Sequence, residues 1–278
     1  LWVIFEWLRG WIFTGFPWLY LGYGHLHTPM AGWSPVIGVY GLSFWVALSG
    51  AALALCLTAP TALKPYGYST LAACLALFGL GFSLQKHEWT LAADTPPLRI
   101  GAVQSNISQE KKWAYTHYWA TLEQYDLASE ELWPDSDLVI WPEAAIPALY
   151  HNALSYFDYI AERAQANNSA LITGVPTRFE EDMYNSVMVI SGGEGIYHKQ
   201  RLVPFGEYVP LSHYIRGLIK FFDLPMSSFT RGGSDQDHLN VKGWQLAASI
   251  CYEIAYPDLI ADSARNSDLL FTISNDAW

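Results

Sequence analysis

Two long stretches without a charged side chain constrain this chain of 278 residues more than any other feature. The first covers residues 36–59 and the second residues 66–85, and the short segment between them contains Lys64. A helix needs about 20 apolar residues to cross the hydrocarbon core of a bilayer. The pattern therefore predicts two transmembrane helices joined as a hairpin, with a buried hairpin of a large soluble protein as the alternative.

The segment that precedes these stretches is also apolar but differs in composition. Residues 1–24 are rich in Trp, Phe and Tyr, which favour the membrane interface, and they include Glu6 and Arg9. We assign residues 1–90 to a membrane region. Because the sequence starts in apolar residues without Met or a signal-peptide pattern, we expect further spans to precede it. With Lys64 on the cytoplasmic side, the positive-inside rule predicts that the following domain is extracytoplasmic.

From residue 98 onward the sequence has the pattern of a water-facing domain. Short apolar runs predict strands, and two longer stretches predict helices over residues 109–132 and 152–167. Strands that alternate with helices indicate an α/β layered domain, which we assign to residues 98–278. Because only four residues follow the last predicted strand, we expect its sheet to continue in sequence beyond Trp278. The predicted strands cover residues 98–104, 137–141, 170–175, 186–191, 245–251 and 268–274.

The charge and the cysteine content exclude several classes of function. The net charge is −11, and an acidic domain without clustered Lys and Arg is a poor nucleic-acid binder. Three cysteines cannot build a disulfide framework, and Cys56 and Cys74 lie in the apolar stretches, where a thiol acts as a small apolar group. The sequence has no His-Glu-x-x-His, no Cys/His cluster and no phosphate-binding loop, so we expect no metal and no cofactor.

Three residues that could together perform acyl transfer follow or end predicted strands. They are Glu143, Lys199, which comes after a glycine-rich turn, and Cys251. α/β domains place their chemistry at the ends of strands. A carboxylate base, an ammonium that stabilises an oxyanion and a thiol nucleophile suffice for a thioester mechanism. Taken singly, Glu143 could be a solvated turn residue, Lys199 an exposed charge and Cys251 a core residue.

The sequence after Cys251 predicts how its sulfur is presented. Pro257 is a favourable first residue of a helix, so Cys251 is expected in a turn between a strand and a helix. This arrangement is similar to the nucleophile elbow of hydrolases, although the glycines of that motif are absent. The main-chain N–H groups of such a turn could hold an oxyanion.

The segments Trp141–Glu143, Leu202–Glu207 and Cys251–Glu253, which contain or follow the three candidate residues, resemble those of a known protein family. This is the carbon–nitrogen hydrolase, or nitrilase, superfamily, whose members carry a Glu-Lys-Cys triad in that chain order on an α-β-β-α sandwich. The resemblance implies an α/β fold, a nitrilase-like α-β-β-α sandwich that is incomplete at the C-terminus and preceded by transmembrane helices. Within the superfamily, six segments match one branch more closely: Glu6–Gly10 with Thr14–Trp18, Leu202–Glu207, Phe222–Phe229, Cys251–Glu253 and Thr272–Trp278.

The resemblance also implies a role for each candidate site residue. Glu143 would be the general base, Lys199 the charge stabiliser and Cys251 the nucleophile. Four further residues match positions that the family uses near its active site, where they would bind substrate or support the triad. They are Glu207, Tyr252, Glu253 and Trp113.

The six segments and the membrane region together resemble one branch of the superfamily in particular, the bacterial apolipoprotein N-acyltransferases. The resemblance implies transfer of a fatty acyl chain from a phospholipid, through a Cys thioester, to the N-terminal amine of an S-diacylglyceryl-cysteine apolipoprotein. It also implies a multi-pass protein of the bacterial inner membrane with its catalytic domain on the periplasmic side. Two alternatives stay open here: a membrane-anchored amidase that hydrolyses C–N bonds, and a non-catalytic membrane scaffold.

One further segment of the catalytic domain has an apolar pattern that suggests lipid contact. Residues 208–229 place Leu218 and Phe222 beside the cationic Arg216 and Lys220. The pattern predicts an arm that dips into the headgroup layer, or else an amphipathic helix packed on the domain surface.

Overall fold

The computed structural model of the chain describes residues 1–90, 96–209 and 229–275. The chain divides into two compact units, Leu1–Thr95 and Pro96–Trp278. Each unit has a hydrophobic core of its own. The arm predicted over residues 208–229 lies almost wholly outside the described residues, so it stays a prediction.

Three helices make up most of the first unit: α1 (Trp2–Arg9), α2 (Ser34–Thr58) and α3 (Lys64–Leu84). α2 and α3 coincide with the two uncharged stretches, and each has a proline in its first turn, where the missing N–H costs no hydrogen bond. They lie in the segments Pro29–Thr58 and Lys64–Leu84, which are both long and apolar enough to cross a membrane. In the most apolar 18 residues of each segment only 22% and 17% are buried within the protein, so most of these side chains face outward, as contact with lipid requires.

Small residues allow α2 and α3 to pack closely against each other. A Cβ atom at Gly67 would lie 2.8 Å from the Sγ atom of Cys56, so glycine is needed at this level of α3. Cys74 packs with Leu42 and Trp45 in the apolar core of the unit. Both thiols are buried, which confirms that they fill space as small apolar groups.

Two β-sheets form the centre of the second unit. In chain order their strands are β1 (Ile100–Ala102), β2 (Leu138–Ile140), β3 (Ala170–Phe179), β4 (Asp182–Ser191), β5 (Gly193–Glu194), β6 (Ile196–His198), β7 (Leu239–Val241), β8 (Trp244–Ile250) and β9 (Leu269–Ile273). The first sheet has the order β1-β2-β3-β4-β6, in which β1, β2 and β3 are parallel and the other pairs antiparallel. The second has the order β5-β7-β8-β9, with only the pair β8 and β9 parallel.

The helix predicted over residues 109–132 is divided in the structure. It consists of α4 (Gln109–Lys112) and α5 (Tyr118–Glu130), separated by an extended Ala114 and a short 3-10 turn. The prediction of a single helix was wrong because the apolar periodicity of the sequence continues through the break between α4 and α5. Lys112, which an unbroken amphipathic helix would place on its solvated face, is instead buried.

Helices cover the two sheets from outside. α5 and α6 (Leu154–Ala166) pack on the first sheet around a core that includes Trp141 and Phe157. A second core, with Ile172 and Leu246, lies between the two sheets. α7 (Pro257–Ser263) contacts β8 of the second sheet and begins at the predicted proline. The resulting order of helix, sheet, sheet and helix confirms the predicted α/β sandwich.

The hairpin of β3 and β4 is longer than the sequence predicted. The strands remain paired from Ile172 and Val189 out to Phe179 and Asp182. The outer half of the hairpin lacks the apolar pattern of a buried strand, so the sequence did not mark it. This outer half includes Asn185, which becomes important for the site.

Candidate active site

The three predicted catalytic residues each lie just beyond the end of a strand. Glu143 follows β2 after two intervening residues, Lys199 directly follows β6, and Cys251 directly follows β8. β2 and β6 belong to the first sheet and β8 belongs to the second. The fold brings the three side chains to one place, where Glu143 and Lys199 form an ion pair and both shift the pKa of the Cys251 thiol.

A strained and tightly packed turn fixes the position of Glu143. The following residue, Ala144, has a φ of 45°, which residues other than glycine adopt only at a cost. Hydrogen bonds from the Ala145 N–H to the Gly174 carbonyl (2.9 Å) and from the Gly174 N–H to the Pro142 carbonyl (3.2 Å) hold the turn. A Cβ atom at Gly174 would lie 2.6 Å from the Cα atom of Glu143, so β3 leaves no free space beside this turn.

Lys112, at the end of α4, secures the same turn from the other side. Its Nζ atom donates to the main-chain carbonyl oxygen of Glu143 at 3.1 Å, and the residue is only 4% exposed. Burial lowers the pKa of the Lys112 ammonium to about 8, against a smaller opposite effect of the Glu143 carboxylate. Lys112 is not recognisable from the sequence as a site residue, because a Lys-Lys pair in a predicted amphipathic helix is typical of the solvated face of that helix.

Lys199 lies in the interior between two carboxylates. Its side chain is 1% exposed, and its Nζ atom lies 3.3 Å from Oε1 of Glu143 and 2.9 Å from Oε1 of Glu207. Burial alone lowers the pKa of Lys199, but the two carboxylates and the hydrogen bond to Glu207 outweigh it, so the pKa lies above its ordinary value. Lys199 therefore supplies a fixed positive charge at neutral pH.

Asn185, which the sequence analysis did not identify, joins the same two carboxylates. Its Nδ2 atom lies 2.7 Å from Oε1 of Glu143 and 2.8 Å from Oε1 of Glu207. The second oxygen of each carboxylate accepts a main-chain N–H, from Asn275 to Glu143 at 3.1 Å and from Val203 to Glu207 at 2.9 Å. Hydrogen bonds of this kind stabilise the ionised form of a carboxylate.

Cys251 begins a 3-10 turn in an unfavourable backbone conformation. Its φ of 56° produces the sharp turn after a strand that is expected of a nucleophile elbow. Burial raises the pKa of the half-buried thiol, and the Glu143 carboxylate raises it further. The pKa is lowered by the charge of Lys199 and by hydrogen bonds from Ser274 and from the Tyr252 N–H. Because the net shift is upward, the thiol needs a base to become a thiolate at neutral pH.

Glu253 ties the turn of Cys251 to the segment that follows Lys199. Its carboxylate is fully buried and accepts four hydrogen bonds between 2.6 and 3.0 Å. Burial raises the pKa of this carboxyl group, and the main-chain donors oppose the shift. The donors are the N–H groups of Gln200, Arg201 and Ile250 and the hydroxyl of Tyr197.

The remaining two candidate residues differ in their distance from the triad. Tyr252 lies at the site: its hydroxyl donates to the Leu202 carbonyl at 2.6 Å, and its ring centre is 5.5 Å from Nζ of Lys199. Trp113 is 42% exposed. It connects to the site through Lys112, whose Nζ atom is 6.0 Å from the indole ring. The roles of all seven candidate residues stay predictions.

Comparison with curated sequences identifies relatives that match the chain over its whole length. The apolipoprotein N-acyltransferases of Pseudomonas putida and Azotobacter vinelandii are 46% and 47% identical over 284 and 286 residues. The one of Vibrio parahaemolyticus is 36% identical over 289 residues. All three alignments include 100% of this chain but only 54–56% of the relative. The chain thus spans about half the length of the relatives it matches.

Solved structures of carbon–nitrogen hydrolases are similar to about two thirds of this chain. A carbon–nitrogen hydrolase superfamily protein of Xanthomonas campestris, with an arsenic adduct in its active site, is 21% identical with a TM-score of 0.46, covering 64% of both chains. A carbon–nitrogen hydrolase of Helicobacter pylori is 18% identical with a TM-score of 0.44, covering 64% of this chain and 59% of that one.

Two family profiles match successive parts of the sequence. The apolipoprotein N-acyltransferase N-terminal domain matches residues 1–52. The carbon–nitrogen hydrolase profile matches residues 99–278, which is more than half of the chain. The match includes the sandwich and every candidate site residue. The chain belongs to the carbon–nitrogen hydrolase family.

Proposed function

We propose that the protein is an N-acyltransferase that moves a fatty acyl chain from a phospholipid to the N-terminal amine of an S-diacylglyceryl-cysteine apolipoprotein. The observation that carries the proposal is the half-buried thiol of Cys251 beside the Glu143–Lys199 ion pair, in a chain that also has two helices of bilayer length. The name shared by relatives 46–47% identical to the chain supports acyl transfer over hydrolysis.

In the first half-reaction Cys251 attacks the ester carbonyl of the phospholipid. Glu143 takes the thiol proton, and a bond forms between the sulfur and the carbonyl carbon. The fixed charge of Lys199 stabilises the resulting oxyanion, a contribution of about 3–4 kcal/mol for one oriented donor in comparable sites. The C–O bond then breaks, the proton on Glu143 passes to the departing oxygen, and a lysophospholipid leaves the acyl-thioester behind.

In the second half-reaction the α-amine of the apolipoprotein attacks the thioester. Glu143 accepts a proton from the amine as the C–N bond forms. The C–S bond breaks and the Cys251 thiolate regains that proton. The sum of both steps converts an ester and an amine into an amide and an alcohol, and the donor leaves before the acceptor reacts.

The apolar helices have a physical reason in this reaction. Both substrates carry long acyl chains, and moving an acyl chain out of a bilayer costs about 0.8 kcal/mol for each CH₂ group. A catalytic unit held at the membrane surface reaches the ester while the chains stay in lipid. We further propose that the protein is a multi-pass protein of a bacterial inner membrane, with the catalytic unit on the periplasmic side; Lys64 between the two spans supports this orientation by the positive-inside rule.

The test is a transfer assay with both substrates. The full-length gene product is reconstituted with phosphatidylethanolamine carrying a labelled acyl chain and with a synthetic diacylglyceryl-cysteine peptide. We expect label in an amide of the peptide, together with lysophosphatidylethanolamine. The Cys251→Ala protein, which lacks the nucleophile, is the matched control and should form neither product.

The same assay distinguishes the two other functions that this fold could serve. Release of labelled fatty acid without N-acylated peptide would indicate hydrolysis and contradict the proposal. Equal product in the wild-type and Cys251→Ala proteins would show that Cys251 is not the nucleophile. The absence of any turnover, with an unmodified Cys251, would favour a non-catalytic scaffold.

A further inference from the structure

Asn185 contacts both glutamates of the site, yet it has no part in the reaction steps proposed above. It lies on β4, and its main-chain carbonyl accepts the N–H of Lys199 at 2.8 Å. Its side-chain Nδ2 atom bonds Oε1 of Glu143 and Oε1 of Glu207, the same two oxygens that contact Nζ of Lys199. The two carboxylates are thus bridged twice, once by an ammonium and once by an amide.

The chemistry of the bridge fixes the orientation of the amide. An ionised carboxylate can only accept hydrogen bonds, so only the NH₂ group of Asn185 can face both glutamates. Among the residues that the structure describes, none is a hydrogen-bond partner of its buried Oδ1 atom, and Asn185 is 5% exposed. An unpartnered buried acceptor destabilises a fold. The presence of asparagine at residue 185 is therefore better explained by the two N–H donors that it supplies to the carboxylates than by a gain in the stability of the fold.

The bridge makes the two oxygens of Glu143 unequal. Oε1 receives the Lys199 ammonium and the Asn185 amide, whereas Oε2 receives the Asn275 N–H. An oxygen that already accepts two strong donors is the weaker proton acceptor. We propose that Asn185 is a positioning residue that occupies Oε1 and so makes Oε2 of Glu143 the atom that takes the proton, first from Cys251 and then from the amine. The proposal rests on the proposed function for the amine step alone.

The test measures the titration of the site without any lipid substrate. Cys251 is alkylated with iodoacetamide between pH 4 and 9, and its rate is followed by peptide mass spectrometry for the wild-type, Asn185→Ala and Asn185→Asp proteins. The alanine removes two donors that favour the ionised carboxylates, so the acid limb of the profile should move up by about one pH unit. The aspartate adds a third negative charge at the same place, so its acid limb should move further.

The control is a buried hydrogen bond on the neighbouring strand. Thr177 on β3 bonds Ser186 at 2.6 Å and is as buried as Asn185. Ser186 follows Asn185 on β4, so their side chains point to opposite faces of the sheet. Thr177→Val removes a hydrogen bond on the face opposite to Asn185 and should leave the acid limb unchanged. The ionisable groups around the bridge, which are the same in every variant, are Glu143, Glu207, Lys199, Lys112, Cys251 and Tyr252.

The midpoint of the acid limb is the pH at which the alkylation rate has fallen to half. The order of this midpoint among the three proteins decides whether the inference holds. The inference is supported if the pH midpoint is lowest for the wild type, higher for Asn185→Ala and highest for Asn185→Asp. A loss of packing alone predicts no such order. Equal midpoints in the three proteins would overturn it, whatever the thermal stabilities. Acyl transfer is measured separately, with an expected loss of about tenfold or more for Asn185→Ala. A wild-type protein without transfer but with ordered midpoints would refute the proposed function and leave the positioning role standing.

Discussion

The buried Lys112, which bonds the turn at Glu143, gives a quantitative prediction for stability. Lys112 is almost wholly buried, and burial lowers its pKa from 10.5 to about 8. Between these values the unfolded chain holds a proton that the folded protein has released. The free energy of unfolding must therefore rise with pH in this window, at up to about 1.4 kcal/mol per pH unit for this one group.

The perturbation that isolates Lys112 is its replacement by methionine. Lys112→Met keeps the length of the side chain and removes the titrating group, so the difference in unfolding free energy between wild type and variant contains the contribution of Lys112. Integration from pH 7 to pH 10 gives a change of about 2.5 kcal/mol in this difference, in favour of the wild type at high pH. The sign follows because burial disfavours the ammonium, and this disadvantage disappears once the proton is lost.

The assay is denaturant unfolding in detergent, followed by the fluorescence of the 13 tryptophans. Unfolding is measured at several pH values for wild type, Lys112→Met and Lys111→Met. Lys111 is the adjacent residue and is exposed, so its variant should show a nearly constant difference. If the difference in unfolding free energy between wild type and Lys112→Met were also independent of pH, the reasoning would be refuted. That result would mean that the fold stabilises the ammonium as much as water does.

Three further substitutions test the geometry around the triad. Gly174→Ala would force a Cβ atom to within 2.6 Å of the Cα atom of Glu143. It should lower the transfer rate about 100-fold by displacing the base, whereas Gly233→Ala, at a site with open space, should not. Glu253→Gln places an NH₂ group against buried donors, so denaturation should show a loss of about 2–3 kcal/mol; an unchanged stability would contradict its role in holding the elbow. Cys251→Gly should be about 1 kcal/mol more stable than Cys251→Ala because its φ of 56° strains any side chain, and equal stabilities would show that the elbow is unstrained.

Much of the fold could be predicted because its signals are local. The uncharged stretches have the length of a bilayer span, and the alternating apolar runs mark strands that lie between helices. Glu143, Lys199 and Cys251 could be proposed together because each follows or ends such a run within a recognisable sequence segment. Their proximity is a product of the fold, since they are far apart in the chain.

Asn185 and Lys112 could not be identified in this way. Asn185 lies in the outer half of β4, and its contact with Glu143 arises only because β4 pairs with β3, whose Gly174 touches the Glu143 turn. Lys112 has the sequence context of a solvated helix face, and only the break after α4 places it in the interior. A single sequence records neither the strand pairing nor the break, so both residues became visible only with the structure.

The central claim, that Cys251 carries the acyl chain, can be tested by peptide mass spectrometry of the enzyme. The full-length gene product is incubated with phosphatidylethanolamine vesicles in the absence of an acceptor, and the peptide that contains Cys251 is analysed. We predict a mass increase of one acyl group on Cys251 that hydroxylamine removes and that added diacylglyceryl-cysteine peptide discharges. Transfer to the peptide with Cys251 unmodified at every time point, or an equal acyl adduct on a different residue of the Cys251→Ala protein, would contradict the account.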